Sequence, residues 1–256
     1  MNTEYIEKGI EFVNQKEFEK ALECFDKQID LKEDSTVLGL KALALMDLNR
    51  LDEALIYISK SLELDSSNWE AWVTKAEIFK RLNKNNQALH CFDLALQINP
   101  NQSKTWTKRG FLLLNRYGQF IEAINSFNKA LKLNPEDKNA LYFRAEAYFA
   151  LKNYKKALIS CDEYLKITHL NVFDSNVYAL KTKILMILNN FDDALAIINE
   201  SLEFNQDDDN LYATKAMILL RAHKYDEGIK CVNKALELNP NNVIALKLKN
   251  NVLKVN

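Results

Sequence analysis

Residues 69–102 contain two runs in which apolar residues recur at intervals of three and four positions. The two runs consist of Trp72, Ala76 and Phe79, and of Ala88, Phe92 and Ala95. This spacing places the apolar residues on one face of a helix, so each run predicts a short amphipathic helix. Asn83 belongs to a residue type that tolerates the left-handed conformation of a helix end, and Pro100 cannot continue the second helix. The segment therefore predicts a helical hairpin.

The same pattern recurs along the whole chain. The small residue of the first helix falls at Gly9, Ala42, Ala76, Gly110, Ala145, Thr182 and Ala216. The small residue that opens the second helix falls at Ala21, Ala54, Ala88, Ala123, Ala157, Ala194 and Gly228. Helix backbones approach closely only where small residues face large ones, so this alternation predicts packed helix pairs. One hairpin cannot bury its second face, and seven hairpins in series can.

This alternation resembles the tetratricopeptide repeat (TPR) pattern over essentially the whole chain. The resemblance implies an all-α fold, a right-handed α-α superhelix (a TPR solenoid) of antiparallel helix pairs. We expect a single array over residues 1–256, with repeats at 2–34, 35–68, 69–102, 103–137, 138–171, 175–208 and 209–242. A capping helix is expected at 243–254, with Leu246 and Leu253 facing the array and Lys247, Asn250, Asn251 and Lys254 outside.

Two stretches are longer than the repeat allows. One extra residue falls within NRYGQF, residues 115–120, and predicts a wider turn. Three extra residues fall within ITHLNVFDS, residues 167–175, and predict a kink between repeats.

Composition and charge narrow the function classes. The formal net charge of −1 argues against general adhesion to nucleic acid or to an anionic membrane surface. No stretch reads as a membrane span, and the N-terminal residues enter the first repeat without an apolar signal region. We therefore expect a cytoplasmic protein.

The residue types that carry chemistry are dispersed. Cys24, Cys91, Cys161 and Cys231 lie about two repeats apart at or beside a buried stripe, so buried reduced thiols are expected. His90, His169 and His223 fall in different repeats, and no phosphate-binding or metalloprotease motif is present. We expect no catalytic residues, no metal and no cofactor. The acidic run at 207–209 precedes a first helix. Carboxylates there stabilise the positive end of the helix dipole, which explains the run better than a cation site does.

A cation precedes the small residue of every first helix. The seven cations are Lys8, Lys41, Lys75, Arg109, Arg144, Lys181 and Lys215. Many prokaryotic TPR sequences look similar here, with Trp-x-x-Lys-Gly. The favoured interpretation is structural, with the long stems covering apolar surface and the charged heads pairing with carboxylates of neighbouring repeats. The alternative is an acidic partner laid along this cation ladder.

The resemblance also implies a binding site, because the family usually holds extended peptides in the concave groove formed by its first helices. The predicted apolar floor consists of Phe111, Leu114, Tyr142 and Phe149. The predicted basic rim consists of Lys80, Arg81, Lys104 and Lys108. The expected partner is a protein or peptide with apolar anchors and acidic flanks.

Three function classes remain at this stage. The leading one is a non-catalytic protein–protein interaction scaffold. The alternatives are a helical-repeat protein that binds single-stranded RNA, although such arrays are typically basic, and a regulatory subunit of an enzyme complex.

Overall fold

The computed structural model describes residues 4–167 and 175–253, and every regular element within them is a helix. The helices are α1 Glu4–Asn14, α2 Phe18–Leu31, α3 Ser35–Asp47, α4 Leu51–Leu64, α5 Trp69–Arg81, α6 Asn85–Ile98, α7 Ser103–Leu112, α8 Phe120–Leu133, α9 Lys138–Ala150, α10 Tyr154–Ile167, α11 Ser175–Ile187, α12 Phe191–Phe204, α13 Asp209–Arg221, α14 Tyr225–Leu238 and α15 Val243–Leu253. The prediction of seven helix pairs followed by a fifteenth helix is confirmed. Odd-numbered helices from α1 to α13 are called first helices here, and even-numbered ones second helices.

The chain divides into two compact units, Met1–Ala140 and Leu141–Asn256. In the first unit the largest fully buried side chains include Phe25, Phe92 and Phe127, each four residues after the small residue of its second helix. In the second unit the fully buried side chains include Ile184 and Leu185 of α11 and Ile218 of α13. Each unit therefore has an apolar core built from the small-against-large pattern. The expected single array over residues 1–256 stays a prediction.

A residue in the left-handed conformation follows every first helix, in the turn to the second helix. These residues are Lys16, Asn49, Asn83, Gly118, Lys152, Asn189 and His223, with φ between 57° and 62°. Around Asn83, the Lys84 amide donates to the Phe79 carbonyl at 2.8 Å and the Asn83 amide donates to the Lys80 carbonyl at 3.0 Å. This pair of bonds satisfies the last carbonyls of the helix and turns the chain into the second helix. The predicted role of Asn83 is confirmed.

The turn within NRYGQF is wider than the others, as predicted. Residues Leu113–Tyr117 form one π-helical turn after α7. The Gln119 amide donates to the Leu113 carbonyl at 3.1 Å, so this turn spans one residue more than the turn at Asn83. The extra residue is therefore absorbed by the helix end. The kink predicted within ITHLNVFDS falls largely on residues 168–174, outside the described part of the chain.

Side-chain caps fix where several first helices begin. Asp34 Oδ1 accepts a hydrogen bond from the Val37 amide at 3.0 Å. Asp208 Oδ1 accepts from the Leu211 amide at 3.1 Å, which confirms that the acidic run at 207–209 serves the start of α13.

Helix α15 packs against the last helix pair, but not through the residue that the sequence predicts. Ala245 is buried and Leu248 is partly buried against Ala213 and Ala216, whereas Leu246 is 40% exposed. The prediction for Leu246 is wrong, because Leu246 occupies the place that Trp72 has in its repeat. Trp72 packs against the second helix that follows it, and no second helix follows α15 in the described residues. Leu253 and Lys254 lie outside the described side chains.

Across residues 4–167 and 175–253, none of the helices has the length and apolar character needed to span a bilayer.

Candidate functional site

Neighbouring first helices of the first unit carry residues of one helical phase, directly after the small residue. These residues are Ile10 on α1, Leu43 on α3, Glu77 on α5 and Phe111 on α7. Ile10 is 39% exposed and Leu43 is 37% exposed. We call the surface that carries these four residues the first-helix face. The predicted site omits Ile10 and Leu43, although their sequence phase is that of Phe111.

A compact charged cluster interrupts this apolar row. Glu77 is largely buried and pairs with Lys80 on the same helix and with Lys108 of α7, whose Nζ lies 3.1 Å from Glu77 Oε1. Burial opposes ionisation of Glu77, but the hydrogen bond from Lys80 and the charge of Lys108 outweigh it, so the pKa of Glu77 is below its ordinary value. Two predicted rim cations thus share one carboxylate. The predicted rim is less basic than the sequence suggests.

Arg81 has a structural partner as well. Its guanidinium donates to the Met46 carbonyl near the end of α3 and lies 3.8 Å from Asp47 Oδ1. A cation at the carboxyl end of a helix stabilises its free carbonyls. Lys104 on α7 is exposed. Of the four rim cations, Arg81 and Lys108 therefore make contacts between adjacent first helices, and Lys80 makes a contact within α5.

Phe111 and Leu114 are partly buried in the first unit, at the end of α7 and in the π-helical turn. Both side chains present part of their surface to solvent beside Lys108. The described structure therefore places one half of the predicted floor next to one cation of the predicted rim.

Tyr142 and Phe149 belong to α9 and to the second unit. The Tyr142 hydroxyl donates to Glu146 Oε1 at 3.0 Å, and the Nζ atom of Lys183 on α11 lies 4.8 Å from the centre of the Phe149 ring. Lys183 is a further cation of a first helix that the predicted rim does not include. Because the two units are described separately, a floor shared by all four apolar residues stays a prediction.

The cation ladder is tied into the fold at four of its seven positions. Lys41 pairs with Asp26 and lies 4.0 Å from the centre of the Tyr57 ring. Arg109 Nε donates to Asp93 Oδ1 at 2.6 Å. Arg144 pairs with Glu163, and Lys181 Nζ lies 2.8 Å from Asp162 Oδ1. All four carboxylates lie on second helices. The predicted pairing with a neighbouring repeat is confirmed at Lys41, Arg109 and Lys181, whereas the partner of Arg144 lies in its own repeat.

The thiols are poor nucleophiles at neutral pH. Cys24, Cys91 and Cys161 are buried, and Cys231 is partly buried. Burial raises the pKa of Cys91 to about 11, and burial together with the charge of Asp162 raises the pKa of Cys161 to about 12. Both thiols are therefore protonated in neutral solution.

The histidines are not gathered into a site. His90 and His223 are exposed on different repeats, and His169 lies outside the described residues. Where side chains are described, no three His, Cys, Asp or Glu residues cluster closely enough to hold a metal ion.

Comparison with known proteins agrees with this architecture. Three family models described as "Tetratricopeptide repeat" match residues 35–68 and 70–102, 116–169, and 210–242. Among curated proteins, the chain is 28% identical over 152 residues to tetratricopeptide repeat protein 37 of Xenopus laevis, covering 58% of this chain and 9% of that protein. It is 25% identical over 151 residues to superkiller complex protein 3 of Homo sapiens, covering 57% and 10%. The chain thus spans about a tenth of the length of these relatives.

Solved structures show the same fold. The C-terminal part of a TPR repeat-containing protein from Cytophaga hutchinsonii superposes with a TM-score of 0.80 at 16% identity, covering 94% of this chain and 98% of that one. YrrB, described as a TPR protein with an unusual peptide-binding site, superposes with a TM-score of 0.66 at 18% identity, covering 75% and 97%. The repeated helix pairs, the family matches and these structures together establish that the chain belongs to the tetratricopeptide repeat family, whose members are generally non-catalytic scaffolds for protein–protein interaction.

Proposed function

We propose that this chain is a non-catalytic scaffold that holds a segment of a partner protein against its first-helix face. The observation that carries the proposal is the row of exposed apolar side chains at Ile10 and Leu43, continued by the partly exposed Phe111. Adjacent exposed apolar residues on a polar surface are typical of a partner site. The charged cluster at Glu77 lies within this row and adds a polar position to it.

The spacing of the row suggests what the partner looks like. Packed helices lie roughly 8 to 10 Å apart, and an extended chain advances about 3.3 Å per residue, so successive first helices match every third residue of an extended segment. Apolar anchors are then expected opposite Ile10 and Leu43, a polar residue opposite Glu77, and a third anchor opposite Phe111. Lys80, Lys108 and Glu77 together carry one net positive charge, and Lys104 adds another, which favours an acidic residue near the third anchor.

Affinity capture from a native extract tests this proposal with matched variants. Leu43→Ser and Phe111→Ser each remove an anchor contact from the first-helix face. Ile56→Ser on α4 and Ile121→Ser on α8 are the controls, because these side chains are 55% and 63% exposed on second helices. A central apolar anchor typically contributes about 2 kcal/mol, so each groove variant should lose most of its captured partner while the controls retain it. Circular dichroism checks that all four variants keep their helicity.

Retention of the partner by both groove variants, with loss in the second-helix controls, would place the site on the second helices and end the proposal. Capture that is equal in all four variants would also contradict it, because neither face would then carry an anchor.

The predicted extension of the site into the second unit has its own test. Tyr142→Ala combined with Phe111→Ser should abolish capture, whereas Lys104→Ala combined with Lys108→Ala should weaken it only at low salt. A double lysine variant that loses binding at every salt concentration would show that cations, not apolar anchors, hold the partner.

We also infer that the chain has no catalytic activity of its own and acts in the cytoplasm. The protonated state of Cys91 and Cys161 at neutral pH supports the first inference, since neither thiol is a ready nucleophile. Purified protein should show no hydrolase or transferase activity, and any turnover abolished by Cys91→Ser would overturn this inference.

A further inference from the structure

Three of the four carboxylates that pair with the cation ladder occupy a repeated position, the fifth residue after the small residue of a second helix; these are Asp26, Asp93 and Asp162, whereas Glu163 is one residue further on. Asp26 holds this position for Lys41, fifteen residues later, and Asp93 holds it for Arg109, sixteen residues later. Ser59 holds it for Lys75, which is also sixteen residues later. Ser59 has no charge to offer, and its hydroxyl donates to the Leu55 carbonyl at 2.7 Å.

Lys75 is consequently a ladder cation without a carboxylate partner among the described residues. Its Nζ atom lies 5.5 Å from the centre of the Trp72 ring, and it is partly buried. A half-buried ammonium beside an aromatic ring has lost part of its hydration and gains little from distant charges. Lys75 therefore lacks the ion pair that Lys41 and Arg109 make in the two neighbouring repeats.

Lys75 is one of the residues that line a pocket of about 400 Å³. The lining residues are Trp72, Lys75 and Phe79 of α5, and Asn86, Gln87, His90 and Cys91 of α6. Apolar walls come from the rings of Trp72 and Phe79 and from the thiol of Cys91. Every lining residue therefore comes from one helix pair.

A related pocket in the next repeat shows what Lys75 lacks. That pocket has a volume of about 300 Å³ and is lined by Trp106, Arg109, Asp93 and Ser126, among other residues. There the guanidinium of Arg109 is satisfied internally, because it donates to Asp93 at 2.6 Å and to Ser126 Oγ at 2.8 Å. The pocket at Trp72 has the same aromatic wall and the same ladder cation, but no internal carboxylate.

We propose that the pocket between α5 and α6 binds a small apolar monocarboxylate, with its carboxylate on Lys75 and its apolar body against Trp72 and Phe79. The volume falls within the range of small-ligand sites, which combine apolar walls with a few placed polar groups. The ligand carboxylate supplies the group that Asp26 and Asp93 supply in the neighbouring repeats. The site is separate from the first-helix face and adds a second binding activity to the proposed scaffold.

The probe pair 1-naphthylacetate and 1-naphthaleneacetamide tests the proposal, because the two differ only in charge at the carboxyl group. Titrations followed by NMR on the full chain should show 1-naphthylacetate perturbing the Trp72 indole and His90 signals, with a dissociation constant on the order of 1 mM for a ligand of this size. The amide should bind roughly tenfold more weakly, the factor that one charge-assisted hydrogen bond contributes.

Two variants examine the missing carboxylate directly. Lys75→Gln removes the cation, and Ser59→Asp places a carboxylate where Asp26 and Asp93 stand in their repeats. Each substitution should weaken the binding of 1-naphthylacetate about tenfold. Lys132→Gln, on the exposed surface of α8, is the matched charge control and should bind as the wild type does.

Equal binding of the acid and the amide would overturn carboxylate recognition, and an unchanged Ser59→Asp variant would overturn the argument from the repeated position. Tighter binding of N-acetyl-Asp-Phe-amide than of 1-naphthylacetate would reassign the pocket to an acidic protein segment and reject the small-molecule ligand. Phe111→Ser should leave probe binding intact, so failure of the first-helix proposal and failure of this one are distinguishable.

Discussion

Gly110 is a position in the first unit at which the packing leaves no room for a side chain. A Cβ atom built on Gly110 would lie 2.6 Å from Cε1 of Phe127 and 2.9 Å from its Cδ1 and Cζ atoms. The Phe127 ring is 0% exposed, so it cannot swing into solvent to make room. Gly110→Ala therefore forces α7 and α8 apart or drives the ring off its rotamer.

The magnitude follows from two opposing terms. Overpacking a filled core costs about 1 to 3 kcal/mol, whereas replacing Gly by Ala inside a helix gains about 1 kcal/mol of helix propensity. We expect Gly110→Ala to lower the free energy of unfolding by about 1 kcal/mol. Gly39→Ala on α3 is the matched control, because the nearest atom to its new Cβ is Ser61 Oγ at 3.5 Å, an ordinary contact. That variant keeps only the propensity gain and should be stabilised by about 1 kcal/mol.

Urea unfolding of the two variants and the wild type gives the comparison, with the slope m checked for constancy. The midpoints should fall on opposite sides of the wild-type midpoint. If Gly110→Ala is as stable as Gly39→Ala, the close approach of α7 to Phe127 is wrong. Gly9→Ala provides an independent repeat of the test, since its Cβ would collide with the buried ring of Phe25.

Three further outcomes follow from the fold. Lys152 has a φ of 57°, so Lys152→Gly should raise the free energy of unfolding by about 1 kcal/mol, and a loss of stability in thermal unfolding would contradict the left-handed turn. Deleting residues 243–256 uncovers the apolar surface that Ala245 buries, so the truncated chain should unfold at lower temperature and aggregate sooner, and unchanged behaviour would refute the cap. Burial raises the pKa of Cys91 from 9.0 to about 11, so the unfolded thiol ionises first and stability should fall as the pH rises through 9. Iodoacetamide should also label Cys91 more slowly at pH 9 in the folded protein than in urea, and equal rates would contradict the burial.

The helices and their ends could be predicted from the sequence because they depend on local signals. The apolar spacing around Trp72, the turn residue Asn83 and the extra residue before Gly118 each act within one hairpin. The repeat pattern also predicts that Arg109 pairs with a carboxylate of a neighbouring repeat. It does not predict that this carboxylate belongs to Asp93.

Side-chain partners between repeats could not be predicted in the same way. Lys108 reads as a free rim cation because nothing within its own repeat shows that it reaches Glu77 of α5. Leu246 reads as a buried residue because its sequence phase matches Trp72, and only the helix that would cover it distinguishes the two. Both errors arise where the environment of a residue depends on which neighbour is present, not on the spacing within its own helix.

The most direct test of the proposed scaffold is site-specific photocrosslinking to the native partner. The photoreactive amino acid p-benzoylphenylalanine replaces Phe111 on the first-helix face or, as the control, Ile121 on α8. Irradiation in a native extract should yield a discrete crosslinked partner from position 111, with the attachment site beside an apolar anchor, and none from position 121. A partner crosslinked from position 121 and absent at position 111 would contradict the account.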